Sequence, residues 1–536
     1  MAKQNSGVEL DAILARLGPF GKYNIVNYAF LLFPVYLAGI FGSIYVFEAP
    51  DLNYRCQITE CAHLKNTSWL QNAIPLVKGE LSKCTKYPML REEFTNETLC
   101  VADDFNRNKT VPCTKFEYSD DEYSIVKDFD LGCQNMKRTL VGTIHNAGLF
   151  ISLPLTGIIS DRFGRRTALS IASLMNGIFG ILRSLSINYE MFMVFEFLET
   201  AMGAGAYSTA FVLAMELVDP KGRVFGNTII NVLYVFGLMT LSGLSWYLQD
   251  WRLLLRIVYT PALLVFSYLW ILNESVRWLL SKGRTDEAVA ILNKAAKMNK
   301  VELSEELLAP LYDEDKVPLQ EKEEVVEEDR GSSMFLKVVK SSIIRKRLIV
   351  CSFLWITCTF VYYGLSINSV SLAGNKYVNF MLVAFVEIPA NFACFLVLDR
   401  FGRKRTLITT YVLSACLCIS LTFLPKDQKW LSLVIYLSGK FSITVAYSSV
   451  YIYVSEVFPT NVRQSLLAVC SSLGRVGSTL APLTQLLAQP TIFFGSLALA
   501  ASVLVFTLPE TINLPLPDTI EEAEQLSRRK VQDEET

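Results

Sequence analysis

Asp161-Arg-Phe-Gly-Arg-Arg166 returns later in the chain as Asp399-Arg-Phe-Gly-Arg-Lys404, each time at the foot of a long apolar run. Two further matches follow in the same order and at nearly the same spacing. Glu216, Pro220 and Arg223 return as Glu456, Pro459 and Arg463, and Asn273-Glu-Ser275 returns as Pro509-Glu-Thr511. Three matches in one order mean that a single unit is present twice.

The unit is a set of membrane spans. Crossing a hydrocarbon core about 30 Å thick takes about 20 mostly apolar residues. Such runs are predicted at 23–47, 138–160, 167–187, 190–216, 224–247, 253–273, 348–369, 377–398, 405–424, 430–455, 465–487 and 491–508. Composition agrees: the 536 residues are 51% hydrophobic and 19% charged, against about a quarter charged in a soluble chain. Mean hydropathy is +0.33. The expected fold is an all-α polytopic membrane protein with 12 transmembrane helices in two six-helix, pseudo-symmetric halves. Parallel six-span halves are the major-facilitator arrangement, in which the substrate site lies between the halves near the midplane. The halves are expected at 23–273 and 347–508, with a linker at 274–346 and terminal segments at 1–22 and 509–536. The first twenty residues hold no apolar run, so the first span is expected to insert the chain without a cleaved signal.

Several chemistries are excluded early. Lys+Arg 50 against Asp+Glu 51 leaves no basic surplus for nucleic acid. Two histidines, His63 and His145, offer little for a histidine metal centre, and no HExxH or phosphate-loop motif occurs. No enzyme, cofactor or metal is expected; the partners are a small organic ion, the bilayer, and a coupling ion left open between sodium and proton.

Orientation follows from Lys and Arg in the short loops. The two repeated basic motifs, Lys221, Arg223 and Arg463 fall on one face with both termini, predicted to be cytoplasmic at the plasma membrane. The opposite face carries the loop 48–137, with Cys56, Cys61, Cys84, Cys100, Cys113 and Cys133 and sequons at Asn66, Asn96 and Asn108. That loop reads as a disulfide-stapled, glycosylated extracellular module. Six cysteines allow fifteen pairings, and the sequence leaves the choice open. In the linker, Arg284 to Lys297 reads as a surface helix with one apolar face, followed by an acidic run from Glu321 to Asp329. The charged tail 520–536 is expected to be mobile.

At the basic face, Asp161, Arg165, Glu216, Arg223, Arg277, Asp399, Arg403, Glu456 and Arg463 form a candidate gate. The expectation is that charge pairs between the two bundles close this mouth and part when the halves rock. The plainer alternative is that they only set topology.

The cysteine-rich loop, the repeated DRFGR motif, Glu274-Ser-Val-Arg-Trp-Leu-Leu280, Tyr362-Tyr-Gly-Leu365, Glu456-Val-Phe-Pro-Thr-Asn-Val-Arg463 and Leu508-Pro-Glu-Thr511 together resemble the SLC22 organic cation/anion/zwitterion transporters. The likeness runs from the first span to the last motif, and span four looks most like the invertebrate organic-cation-transporter-like branch. It implies facilitated transport of small organic ions by alternating access. Where the superfamily often has Arg-x-x-x-Gly in span four, this chain has Glu196 and Thr200, so no role is carried over from that arginine.

Ionisable residues at membrane depth cost about 2.5–3.5 kcal/mol each and mark function. Glu196, Glu199, Glu387, Lys440 and Arg475 are the candidates, the first two nearer the extracellular third of their span and less clearly buried. A guanidinium at Arg475 can hold a carboxylate in bidentate fashion; the alternative is an ion pair with Glu387 or Glu199. In the resembled family this position is acidic in strict cation carriers and basic in carriers of anions and zwitterions. Glu387 is a candidate for a ligand ammonium, a proton, or Lys440. The resemblance also places Tyr207, Tyr234, Trp355, Tyr362, Tyr363 and Tyr447 on the central cavity, as rings for a cation, with Asn146 and Asn231 as hydrogen-bonding groups. The leading expectation is a carrier of small organic cations or zwitterions, such as carnitine-like betaines and amines. An organic-anion carrier of the same fold is second, and a non-transporting receptor third.

Overall fold

The computed structural model describes all residues except 1, 19–20, 62–68, 78, 91–99, 120–121, 219, 314–339, 426–427, 461, 513, 515–516, 518 and 526–536. The acidic run at 321–329 and the sequons at Asn66 and Asn96 therefore lie outside the described residues, whereas Asn108 is exposed.

After α1 (Ala2–Leu17), the first half comprises α2 (Lys22–Phe41, continued by the turn Tyr45–Glu48), α3 (Asn135–Phe163), α4 (Arg165–Ser184), α5 (Tyr189–Gly203) with α6 (Gly205–Leu217), α7 (Pro220–Leu248) and α8 (Trp251–Leu264). The linker helix α9 (Thr285–Asn299) precedes the second half. That half comprises α10 (Ser342–Asn368), α11 (Lys376–Phe385) with α12 (Glu387–Phe401), α13 (Arg403–Ser420), α14 (Lys429–Val457), α15 (Arg463–Leu480) and α16 (Pro490–Val505). Among the described residues, nine helices are long and apolar enough to cross a membrane. The other three predicted spans are α4, which carries Arg165, Arg166 and Arg183, the split pair α5–α6, and α16, which is apolar but 16 residues long.

Packing repeats between the halves. In the first, α2 packs on α7 and α4 on both α8 and α5; in the second, α10 packs on α15 and α13 on both α16 and α14. The helix starts show why the sequence motifs recur. A helix leaves its first N–H groups without partners, and an acid there satisfies them and meets the positive end of the dipole. Glu274 accepts from the backbone N–H groups of Arg165 (2.9 Å) and Arg166 (3.1 Å), and Glu510 accepts from those of Arg403 (2.9 Å) and Lys404 (3.1 Å). Gly164 and Gly402 stand at φ +98° and +86°, where L side chains rarely go. A Cβ on either would also collide with the capping carboxylate.

The loop module pairs Cys56–Cys113, Cys61–Cys100 and Cys84–Cys133. Its strand Tyr54–Cys56 runs antiparallel to Phe116–Tyr118. Arg252 fastens it to the first half, bonding Asp128 (2.7 Å) and the carbonyls of Ser184 and Ser186 (2.7 Å each). Outside the membrane, Tyr123 donates to Asp128 at 2.5 Å, which raises its pKa. At the opposite end, the termini side, α9 buries Val289, Leu292, Ala295 and Ala296 against Leu10, Ile13, Leu14 and Leu17 of α1. The described part of the tail is docked rather than mobile: Ala523 is buried, its carbonyl accepts from Arg347, and Glu524 accepts from Ser341.

Candidate functional site

Pro389 deprives the carbonyl four residues earlier of its helical donor, and the helix breaks between α11 and α12 at that level. Glu387 therefore sits at the head of α12, buried between the halves. Its Oε1 lies 2.9 Å from Lys440 Nζ on α14. The ammonium also donates to Ser366 Oγ (2.7 Å) and the Tyr362 carbonyl (3.2 Å), and lies 3.2 Å from the centre of the Tyr362 ring. An ammonium has three donors, and all three are engaged.

Around this pair stands a wall of tyrosines. Tyr362 packs edge-on to Tyr363 at 5.2 Å and against Tyr447 at 5.2 Å, while Tyr207 and Tyr234 of the first half meet at 5.5 Å. Arg475 on α15 faces Tyr363, Tyr447 and Tyr234 and is hydrogen-bonded to Tyr363. Among the described residues it has no carboxylate partner. Neither alternative ion pair forms, because Glu387 is committed to Lys440 and Glu199 to Arg183.

Three further expected lining residues make contacts of their own. Trp355 packs against Gly474 and Tyr451. Asn146 bonds the Gly142 carbonyl one turn back, next to Tyr45, and Asn231 bonds Asn227. Glu196 and Glu199 depart most from expectation: both are fully buried, with His145, Arg183 and Glu48 around them. Arg183, Glu48 and His145 were missed as candidates because Arg183 falls near the end of its predicted span, Glu48 just past one, and His145 is neutral by default; the readable signal was an arginine inside the span 167–187.

The gate candidates pair locally in this structure, whose halves meet on the module side. Arg165 pairs with Asp161 (2.9 Å) and Glu216 (3.4 Å), and Arg403 with Glu456 (3.1 Å) and, longer, Asp399 (3.8 Å). Arg223 and Arg277 both reach Asp11 of α1, and Arg463 bonds the Phe458 carbonyl and Thr460. The Arg165 and Arg403 bonds lie within one half, and those of Arg223 and Arg277 run to the terminal helix α1.

Contact between the halves is concentrated on the module side. There α3 packs on α15 and on the segment Ala481–Leu486, and α7 packs on α11. Arg138 donates to Gln485 (3.2 Å), Ser242 to the Tyr377 carbonyl (2.8 Å), Phe47 meets Phe380 at 5.1 Å, and Lys376 pairs with Glu122. A cavity beside Glu387, lined also by Ser43, Tyr234, Tyr362, Tyr363 and Phe380, measures about 20 Å³, room for about one water. A wider cleft of about 400 Å³ on the termini side is lined by Arg166, Glu274, Trp278 and Glu287, but Glu274 is occupied in capping α4 and Glu287 in pairing with Arg284.

Residues 94–522 match the sugar (and other) transporter family. The chain is 31% identical over 535 residues to the organic cation transporter protein of Drosophila melanogaster, covering 97% of this chain and 95% of that one. The chain belongs to the SLC22 branch of the major-facilitator transporters. It is also 30% identical over 534 residues to the human organic cation/carnitine transporter 2, covering 96% and 93% of the two chains. Among solved structures, the inward open conformation of the Escherichia coli xylose transporter XylE superposes with a TM-score of 0.56 over 92% of this chain and all of that one, at 16% identity. That likeness shows the fold. An SLC22 chain is a transporter and not an enzyme, with twelve spans in two halves.

Proposed function

We propose that this SLC22 transporter carries small organic zwitterions across the plasma membrane by alternating access, with both termini cytoplasmic and the disulfide module outside. The observation that carries the reading is Arg475, a cation between the halves that faces tyrosines and has no carboxylate partner among the described residues. A ligand carboxylate completes it with two parallel hydrogen bonds, while the tyrosine faces hold a quaternary or protonated amine, worth about 2 kcal/mol when desolvated. Lys440 is spent on Glu387, so the pair is electrically closed and adds no charge preference of its own. The relatives named for organic cations and carnitine support this substrate class. The second reading, an organic-anion carrier, is favoured by the same guanidinium, which has no carboxylate partner among the described residues.

The test is initial-rate uptake in expressing against mock-transfected cells, with labelled tetraethylammonium, carnitine and an aromatic carboxylate. Saturable carnitine uptake that disappears in Arg475→Ala supports the proposal. Carboxylate uptake alone assigns the site to anions, and tetraethylammonium uptake unaffected by Arg475→Ala makes the arginine a bystander.

A further inference from the structure

Between α2, α3, α4, α5 and α8, on the module side of the first half, lies a buried charge cluster that the substrate site does not use. Arg183 is its hub. The guanidinium is 2.9 Å from Glu48 and 3.7 Å from Glu199, pairs closely with Glu196, and donates to the Tyr259 hydroxyl at 3.0 Å. His145 Nδ1 lies 2.7 Å from the other oxygen of Glu196. None of Glu48, His145, Arg183, Glu196, Glu199 or Tyr259 is more than 2% exposed.

Three carboxylates thus face one guanidinium and one imidazole. Even with the imidazole charged, the ionised cluster keeps an excess negative charge in a place without water to screen it, which is strongly unfavourable. Glu199 shows where the deficit lies: among the described residues its Oε2 has no hydrogen-bond partner although it is buried and points into the cluster. Asp128, Arg252 and Arg256 form the next layer toward the module, where Arg252 is already paired with Asp128 and the exposed Arg256 is screened by solvent, so neither supplies the missing charge. His145, Glu196 and Glu199 bring their ligand atoms within 4.8 Å of one another, but the guanidinium among the carboxylates opposes a second fixed cation. A proton is the positive charge that fits.

We propose that this cluster is a proton-binding site, with the proton shared chiefly by Glu199 and Glu48, and that its occupancy acts through His145 on the closure of the module side. The route is short. The His145 ring packs on Tyr45 at 4.8 Å, and Tyr45 lies against Gly142, which touches Pro482 of the second half. Gaining or losing the proton changes the hold of Glu196 on His145 at the helix face where α3 meets α15. The proton site stands by itself; only its effect on uptake rests on the transporter reading above.

The test is infrared titration of the purified full-length chain across about pH 5 to 9, the range in which buried carboxyls titrate. The carbonyl stretch of a protonated carboxyl is expected in the wild-type chain at neutral pH and is expected to weaken or vanish in Glu199→Gln. Glu48→Gln, run beside it, removes the same excess charge from another helix and is expected to weaken the band too. A spectrum in this region identical in wild type and both variants overturns the proton site. Carnitine uptake against external pH then reads the coupling: the wild-type dependence flattens in Glu199→Gln, whereas superimposable profiles overturn the link to closure. Because the infrared band needs no substrate, it decides the proton site even where no solute moves.

Discussion

At the scale of single residues, three basic groups between helices have three different fates. Lys440 is held by a carboxylate, a hydroxyl, a carbonyl and a ring face. Arg183 is enclosed by acids, and Arg475 by phenols. Their energetics differ accordingly. Removing one partner of a buried pair strands the other charge and costs about 3–5 kcal/mol. Glu387→Ala is therefore expected to cut folded protein several-fold in a detergent thermal-stability assay, and Glu387→Gln with Lys440→Gln to recover most of it. For Arg475, a hydrogen bond to a charged group contributes about 1.5–3 kcal/mol, so Arg475→Ala is expected to lower zwitterion affinity about 10- to 100-fold. Arg475→Lys should recover only part, since an ammonium lacks the planar fork; full recovery in a binding titration would refute bidentate recognition.

At the scale of elements, the two starts of α4 and α13 are built alike. The Asp-Arg-Phe-Gly-Arg motif supplies a left-handed glycine and a bare helix N-terminus, and the glutamate that follows the sixth or the twelfth span comes back to cap it. Both halves of this device were visible as a sequence repeat, but the capping bond joins residues more than a hundred positions apart in the chain. Loss of such a cap costs about 1 kcal/mol. Glu274→Ala and Glu510→Ala are each expected to lower the melting temperature by a few degrees, additively, because the caps share no neighbours. In the module, breaking Cys84–Cys133, which ties the head of α3 to the loop, is expected to cost about 2–5 kcal/mol and to reduce surface delivery.

At the scale of the whole molecule, the halves touch through α3 against α15 and α7 against α11, which are equivalent pairs under the internal repeat. Gly142 lets α3 approach Tyr45 and Pro482, and a Cβ there would stand 2.7–2.8 Å from both. Gly142→Leu is thus expected to hold the module side open. The check is a cysteine at Tyr363: an impermeant thiol reagent added on that side should label it severalfold faster with Gly142→Leu than without. Equal labelling would show that closure does not depend on this approach.

Read by itself, the sequence determines the spans, the doubling of the six-helix unit, the basic face and the set of cysteines that pair. Those properties depend on run length, local composition and repetition, which are written along one dimension. Tyr207, Tyr234, Tyr362, Tyr363 and Tyr447 were expected on one cavity through family likeness, whereas the individual partners of Trp355, Asn146 and Asn231 were not legible. Only the tertiary structure decided which charges cancel. Glu387 meets Lys440 because a proline breaks one helix beside another, and Glu196 and Glu199 meet Arg183 because α4 and α5 turn those faces toward each other. Among the described residues no acid packs against Arg475, while Arg165 and Arg403 each pair with an acid of their own bundle. Electrostatic pairing falls off over a few ångströms, so partnership is settled by helix rotation and packing, which a linear pattern of residues does not encode.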